Sequence, residues 1–271
     1  MLPGVGVACS FATVNSLHES LMERVLTGGL VMTTRIKDRQ EGGRLLARLL
    51  FDYVGQKDVL VLAIPSGGVP VAVAIVQELG CSMDVLVVRT LNLPQHDPWQ
   101  PEIIMGAVAP GRVRVVDVGV LTSAKVQPRD LEQMVAFEQK ELDRLQRLYR
   151  GDRPFPDLRE RTVILATDAK VIGSTMEAAI KAVRAKGAVR AVAVAPVGLA
   201  STCEHVQLFA DEFVCLLQTP EFCSLALWYD DPRYTTDEEI LSLLALADQG
   251  KDLAGTEVLA GCVASGRSQD W

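Results

Sequence analysis

The chain has 271 residues, a formal net charge of −7, and 49% hydrophobic, 23% charged and 5% aromatic residues. That balance buries a full core and excludes disordered, collagen-like and disulfide-framework classes. No cluster of Lys and Arg forms a phosphate-tracking stripe, so nucleic acid is not the expected ligand. The six cysteines, Cys9, Cys81, Cys203, Cys215, Cys223 and Cys262, form no CxxC pair and read as small buried hydrophobes of a reducing compartment. The longest apolar runs, 59–64 and 191–197, are interrupted well before the ~18 residues that a membrane span needs. The first residues lack the basic start of a secretory signal and the arginines of a transit peptide. A cytoplasmic protein without a membrane partner is expected, and Met32 offers a second start.

Helix-period and strand-like segments alternate along the chain, which predicts a parallel sheet with crossover helices. From Asp38, EGGRLLARLLFDYV carries Leu45, Leu46, Leu49 and Leu50 at helical spacing, and DVLVLAIP follows as a doubly buried strand. SGGVPVAVAIVQELG is a glycine turn entering an apolar helix that ends at Gly80, and MDVLVVR is a second buried strand. TLNLPQHDPWQPE reads as a loop, with IIMGAVA and RVRVVDVGV as a small antiparallel excursion. After Pro128 a long amphipathic helix places Leu131, Val135, Leu142, Leu145 and Tyr149 on one face and ends at Gly151. TVILATDA is a third buried strand, STMEAAIKAVRAKG a helix closed by Gly187, AVRAVAVAPVG a fourth strand and DEFVCLL a fifth. TTDEEILSLLALA opens with a capping box, Thr236 with Glu239, and forms the terminal helix. The organisation expected is an extension over 1–34, one domain over 35–246 and a mobile tail over 247–271. The long helix carries an apolar stripe beside a core that reads as complete without it, which suggests a homodimer.

Two glycine-containing strand ends carry chemistry. In Ile64–Pro70, Gly67 and Gly68 allow positive φ and close backbone approach, so the amides can nest an anion. In Thr167–Thr175, Gly173, Ser174 and Thr175 put amides and hydroxyls at a helix N-terminus, where the dipole favours phosphate. Both lie where ligands collect on open parallel sheets, although strand-to-helix turns also need Gly and Ser for geometry alone.

The ordered series DRQEGGRLLARLL, VLVLAIPSGGVPVAVAIVQELG, DVLVVRTL, PEIIMGAVA, YRGDRPFPDLRERTVILATD, IGSTMEAAIKAVRAKG, ADEFVCL and WYDD resembles the type I phosphoribosyltransferases, more narrowly their predicted bacterial branch. The resemblance covers about Asp38 to about Leu244. It implies a Rossmann-like central parallel sheet with a small hood. It also implies Mg-dependent transfer of ribose 5-phosphate from phosphoribosyl pyrophosphate to a nitrogen nucleophile, with acidic side chains holding the ribose hydroxyls. Carried over to this sequence, Asp168 is the catalytic carboxylate. Lys170, Val171, Ile172, Gly173, Ser174 and Thr175 form the phosphate-binding loop, and Pro65, Ser66, Gly67 and Gly68 form the pyrophosphate loop, with Arg89 beside it. No metal ligand is assigned. The three histidines, His18, His96 and His205, stand in no triad context.

The signature departs from the family where charge is needed. Thr167 replaces the first of two acids, Ala169 a glycine, Ile172 a threonine, Ser66 the arginine before the glycine pair, and Thr90 the lysine after Arg89. Gly67, Gly68, Arg89, Glu102, Asp168, Gly173, Ser174 and Thr175 are kept. Catalysis needs the pyrophosphate and metal contacts, whereas sensing needs only the phosphate loop. Two readings follow: a phosphoribosyltransferase, or a non-catalytic protein on the same scaffold that binds a nucleoside monophosphate or sugar phosphate. A third has the long helix as an assembly interface. Trp99, Phe222, Trp228 and Tyr229 are candidates to stack on a base.

Overall fold

The computed structural model describes residues 35–93, 103–168, 173–220 and 224–248. The expected N-terminal extension and nearly all of the expected tail lie outside them, as do Trp99, Glu102, Lys170, Val171, Ile172 and Phe222. The described elements run α1 (Arg39–Leu49), β1 (Val59–Ala63), α2 (Gly68–Leu79), β2 (Ser82–Val85), β3 (Arg89–Asn92), β4 (Ile104–Ala109), β5 (Val113–Val116), α3 (Val118–Ser123), α4 (Pro128–Arg150), β6 (Thr162–Ala166), α5 (Gly173–Ala185), β7 (Arg190–Leu199), α6 (Ala200–Gln207) and β8 (Glu212–Thr219). A final helix, α7, covers 237–248.

Among the described residues the main sheet has the order β2-β1-β6-β7-β8 and is parallel throughout. The period of two splits each strand between two cores. Val59, Val61, Ala63, Ile164 and Ala166 face α1, α2, α4 and α7, where Leu46, Ile75, Leu142 and Ile240 lie. Leu60, Leu62, Val163 and Leu165 face α5 and α6, where Met176, Ile180 and Val206 lie. Burial on both faces is why these strands read as unbroken apolar runs. Register then positions the site. Ala63 pairs with both Val85 and Ala166, so the chain leaves β1 and β6 side by side at the carboxyl edge of the sheet.

Asp38 starts α1 by accepting a hydrogen bond from the Glu41 amide at 2.8 Å. Two glycines inside this helix have a packing reason. A Cβ on Gly43 would run into the Val71 carbonyl and Ala74 of α2, and one on Gly42 would press Pro196 of β7 at 2.9 Å. The terminal helix has its expected capping box, Thr236 N to Glu239 Oε2 at 3.0 Å and Glu239 N to Thr236 Oγ1 at 3.2 Å.

Three expectations need correction. The second buried strand stops at Val85, and Arg89, Thr90 and Leu91 belong to an antiparallel sheet β3-β4-β5 rather than to a strand end and a loop. RVRVVDVGV is not all strand, because Asp117 accepts from the Val120 amide at 3.0 Å and caps α3. The stripe of α4 is not left over: Leu142 and Tyr149 are buried in the main core, and Leu131, Met134, Val135 and Leu145 pack on it. The observation that suggested a homodimer is therefore accounted for within one chain. Arg150 pins the end of α4, with its ion pair to Asp84 at 3.0 Å. Among the described residues no helix is long and apolar enough to cross a membrane.

Candidate functional site

The loops leaving β1 and β6 face each other, at the point where the strand order switches direction. The first is anchored by Ile64 N to Ala166 O at 2.9 Å and Gly68 N to Ile64 O at 3.1 Å, and its Pro65–Ser66 peptide is cis. The Ser66 and Gly67 amides take no backbone partner among the described residues, which leaves two donors at the N-terminus of α2. The glycine pair serves close approach and not positive φ, since Gly67 sits at φ −69°. A Cβ on Gly67 would run into the Asp168 carboxylate, and one on Gly68 into the Ala166 carbonyl.

Asp168 is held from three directions. Arg39 Nε, at the start of α1, lies 2.8 Å from its Oδ2, and the two side chains are only 8% and 16% exposed. Tyr229 donates its hydroxyl to the Asp168 carbonyl at 2.7 Å, and Gly67 lies beneath the carboxylate. Arg39 also donates to the Arg233 carbonyl at 2.6 Å and lies over the Tyr229 ring at 5.6 Å. Burial, and then the charge of Asp168, push the Tyr229 hydroxyl well above its ordinary range, so it remains a donor. The Oδ1 oxygen of Asp168 accepts no hydrogen bond among the described residues, and a fixed carboxylate with one free oxygen can hold a sugar hydroxyl.

On the other side of the crevice, Gly173, Ser174 and Thr175 open α5 as expected. Lys170, Val171 and Ile172 of the same expected loop lie outside the described residues. The Thr175 Oγ1 is buried without a hydrogen-bond partner among the described residues, an arrangement that a bound acceptor would satisfy. Gly173 is backed by His205, whose Nε2 lies 3.1 Å from Glu177 Oε2, and Glu177 also pairs with Lys181 at 2.7 Å.

Arg89 is not drawn into the pyrophosphate loop in this state. It lies on β3 and pairs with Glu138 of α4 at 2.8 Å. Trp228 and Tyr229 are buried with Ile36 and Val197, so neither is free to stack on a base. That expectation is corrected: Tyr229 instead holds the Asp168 carbonyl. Arg39 was missed as a site residue, because a basic residue at the start of an amphipathic helix has no signature of its own.

A resident magnesium does not fit these residues. Asp168 already carries a guanidinium, Thr167 offers a hydroxyl where the resemblance expects a second acid, and no group of three or more His, Cys, Asp or Glu among the described residues could hold a metal.

The phosphoribosyl transferase domain model matches residues 32–207. Two Mycobacterium tuberculosis proteins that carry a phosphoribosyl transferase name, from strains CDC 1551 / Oshkosh and ATCC 25618 / H37Rv, are 35% identical over 221 residues. The match takes in 80% of this chain and 48% of each of theirs, so the chain spans about half the length of these curated relatives. The crystal structure of TT1426 from Thermus thermophilus superposes with a TM-score of 0.63 at 32% identity, covering 78% of this chain and 97% of that one.

Proposed function

Because this chain belongs to the phosphoribosyl transferase family, we propose that the crevice between residues 65–68 on one side and Asp168 and residues 173–175 on the other binds phosphoribosyl pyrophosphate and transfers its ribose 5-phosphate to a nitrogen nucleophile. The observation that carries this reading is the fixed carboxylate of Asp168, set against Gly67 and paired with Arg39 through Oδ2, with its Oδ1 free of hydrogen bonds among the described residues. Thr175 Oγ1 and the start of α5 hold the 5′-phosphate. The Ser66 and Gly67 amides receive the pyrophosphate. Asp168 Oδ1 takes a ribose hydroxyl and faces the positive charge that grows on the sugar. The C1′–O bond breaks with its electron pair leaving on pyrophosphate, the nitrogen lone pair forms the C1′–N bond, and the nitrogen's proton passes to solvent.

One observation favours a second reading, a non-catalytic binder of nucleoside monophosphates. The lone carboxylate of the signature is already paired with Arg39, and the positions of two family cations carry Ser66 and Thr90. Calorimetric titration of the full chain separates the two. Transfer requires saturable binding of phosphoribosyl pyrophosphate with magnesium and release of pyrophosphate when an acceptor is added. Binding of a nucleoside monophosphate, with no heat from phosphoribosyl pyrophosphate, decides for the second.

A further inference from the structure

The side of the crevice at residues 65–68 has little positive charge of its own. Ser66 and Thr90 are uncharged, and Arg89 is held by Glu138 of α4. The loop itself offers the Ser66 and Gly67 amides, which take no backbone partner among the described residues. Those amides lie beside the Asp168 carboxylate, which fills the place where a Gly67 Cβ would stand. A diphosphate received there meets an anion, and two adjacent anions repel unless a cation stands with them.

Arg39 is that cation. It enters from the first turn of α1, where the helix dipole disfavours positive charge, so the helix supplies no reason for a basic residue. Its side chain is only 8% exposed, yet part of its donor set is unused. Nε lies 2.8 Å from Asp168 Oδ2, Nη1 donates to the Arg233 carbonyl at 2.6 Å, and Nη2 makes no hydrogen bond among the described residues. The guanidinium is planar, and its Nε–H and one Nη2–H leave the same edge in parallel. With Nε aimed at Oδ2, that Nη2–H points into the same space at the carboxylate. Oδ2 is also the carboxylate oxygen closest to the Gly67 position, so this donor edge faces the glycine turn.

We propose that Arg39 is the diphosphate-binding cation of the crevice: Nη2 donates to a diphosphate oxygen while Nε keeps Asp168, so α1 supplies the charge that residues 65–68 lack. The proposal rests on the reading of the crevice given above and adds the side chain that meets the diphosphate. Asp168 Oδ1 stays open beside it for a ribose hydroxyl.

The test titrates three probes calorimetrically into the full chain at one magnesium concentration: phosphoribosyl pyrophosphate, inorganic pyrophosphate and ribose 5-phosphate. Arg39→Lys keeps a cation beside Asp168 but loses the second parallel donor. It weakens phosphoribosyl pyrophosphate and pyrophosphate about 10-fold, as expected for one lost charge-assisted hydrogen bond, and leaves ribose 5-phosphate within about 2-fold. Adding Ser66→Arg to that variant restores the loss, because the loop then carries its own cation. If Arg39→Lys disturbs folding, Ser66→Arg in the otherwise unaltered chain reads the site without touching the buried pair. With Arg39 already serving the diphosphate, it strengthens pyrophosphate by less than about 3-fold, and a gain of about 10-fold or more shows that the site lacked a cation and overturns the proposal. Equal weakening of all three probes by Arg39→Lys, or pyrophosphate binding unmoved by it, overturns the proposal as well. Pyrophosphate binding that depends on Arg39, with no release of pyrophosphate from phosphoribosyl pyrophosphate when an acceptor is added, instead overturns the transfer reading and leaves Arg39 in its role.

Discussion

Asp168 concentrates the physics of the site in one residue. Its carboxylate is nearly removed from water, and Arg39 is what makes that tolerable. Arg39→Met therefore costs about 3–5 kcal/mol in urea denaturation, the penalty of an unpaired buried charge. Adding Asp168→Asn returns part of that loss, because the charge that needed a partner is gone. Additive losses in the double-mutant cycle would show the two side chains to be uncoupled. Gly67→Ala tests the same carboxylate from below. The new Cβ occupies the place of the Asp168 oxygens, so the ion pair shifts, stability falls by about 1–3 kcal/mol, and phosphoribosyl pyrophosphate binding is lost. Binding retained in that variant would remove Asp168 from the ligand site. At this scale the sequence was partly legible. Asp168 was marked only by the resemblance to the family's signature loop, whereas Gly67 and Gly68 stood out because close backbone approach is a local pattern. Arg39 and Tyr229 did not, because they lie 129 and 61 positions away from Asp168 along the chain and only the fold joins them.

The helices and strands show why local pattern succeeds or fails. The strands of the parallel sheet were legible because two-sided burial writes itself as a continuous apolar run. The segment 89–123 was legible only in part: the small antiparallel excursion over IIMGAVA and RVRVV is there, but the strand at Arg89–Asn92 and the short helix after Asp117 were missed, because short strands and a short helix share one loose alternation. The stripe of α4 was read correctly as apolar, but its partner, the chain's own sheet and hairpin, cannot be deduced from periodicity. The glycine pair in α1 was the other silent signal. Glycine inside a helix costs up to about 1 kcal/mol relative to alanine, so Gly43→Ala should stabilise on propensity alone. Here the added methyl meets the Val71 carbonyl and Ala74 of α2, and forcing two packed helices apart costs about 1–3 kcal/mol. The net expectation is a lower thermal midpoint for Gly43→Ala. The solvent-side Gly55, at φ +71° with nothing near its Cβ, is the control that fails through backbone strain and not through packing. A raised midpoint for Gly43→Ala would mean that α1 and α2 are not in the close contact described.

For the molecule as a whole, charge and specific pairing pull in opposite directions with pH. The net charge of −7 means that mild acidification relieves self-repulsion, which alone would favour the compact state. Against this stands a cluster at the amino-terminal edge of the sheet, away from the crevice. Tyr53 donates to Glu212 at 2.6 Å, and Arg190 reaches Glu212 at 2.8 Å and the Tyr53 hydroxyl at 3.2 Å. Burial pushes the Glu212 carboxyl upward, but the Tyr53 hydroxyl and Arg190 outweigh it, so the group ionises below its ordinary value. Its stabilisation is therefore complete above the ordinary glutamate value, about 4.3, and is lost as pH falls through the depressed value of the folded state. Tyr53 is shifted the other way, first by burial and then by its bond to Glu212. Its contribution is complete below the ordinary tyrosine value, about 10, and is lost as pH rises beyond it. The ion pairs Asp157–Arg159 and Glu141–Arg144 add little to either limb, because water and salt screen them. Thermal melts should thus show a plateau between these two limits with a fall on each side. Glu212→Gln should flatten the acid limb and also weaken the alkaline one, because it removes the bond that helps to raise Tyr53, and Tyr53→Phe should reduce the alkaline limb in part, since Tyr149 and Tyr229 are raised as well. An acid limb of unchanged slope in Glu212→Gln would assign acid unfolding to other carboxylates and deprive this cluster of its role in joining β7, β8 and the α1–β1 link.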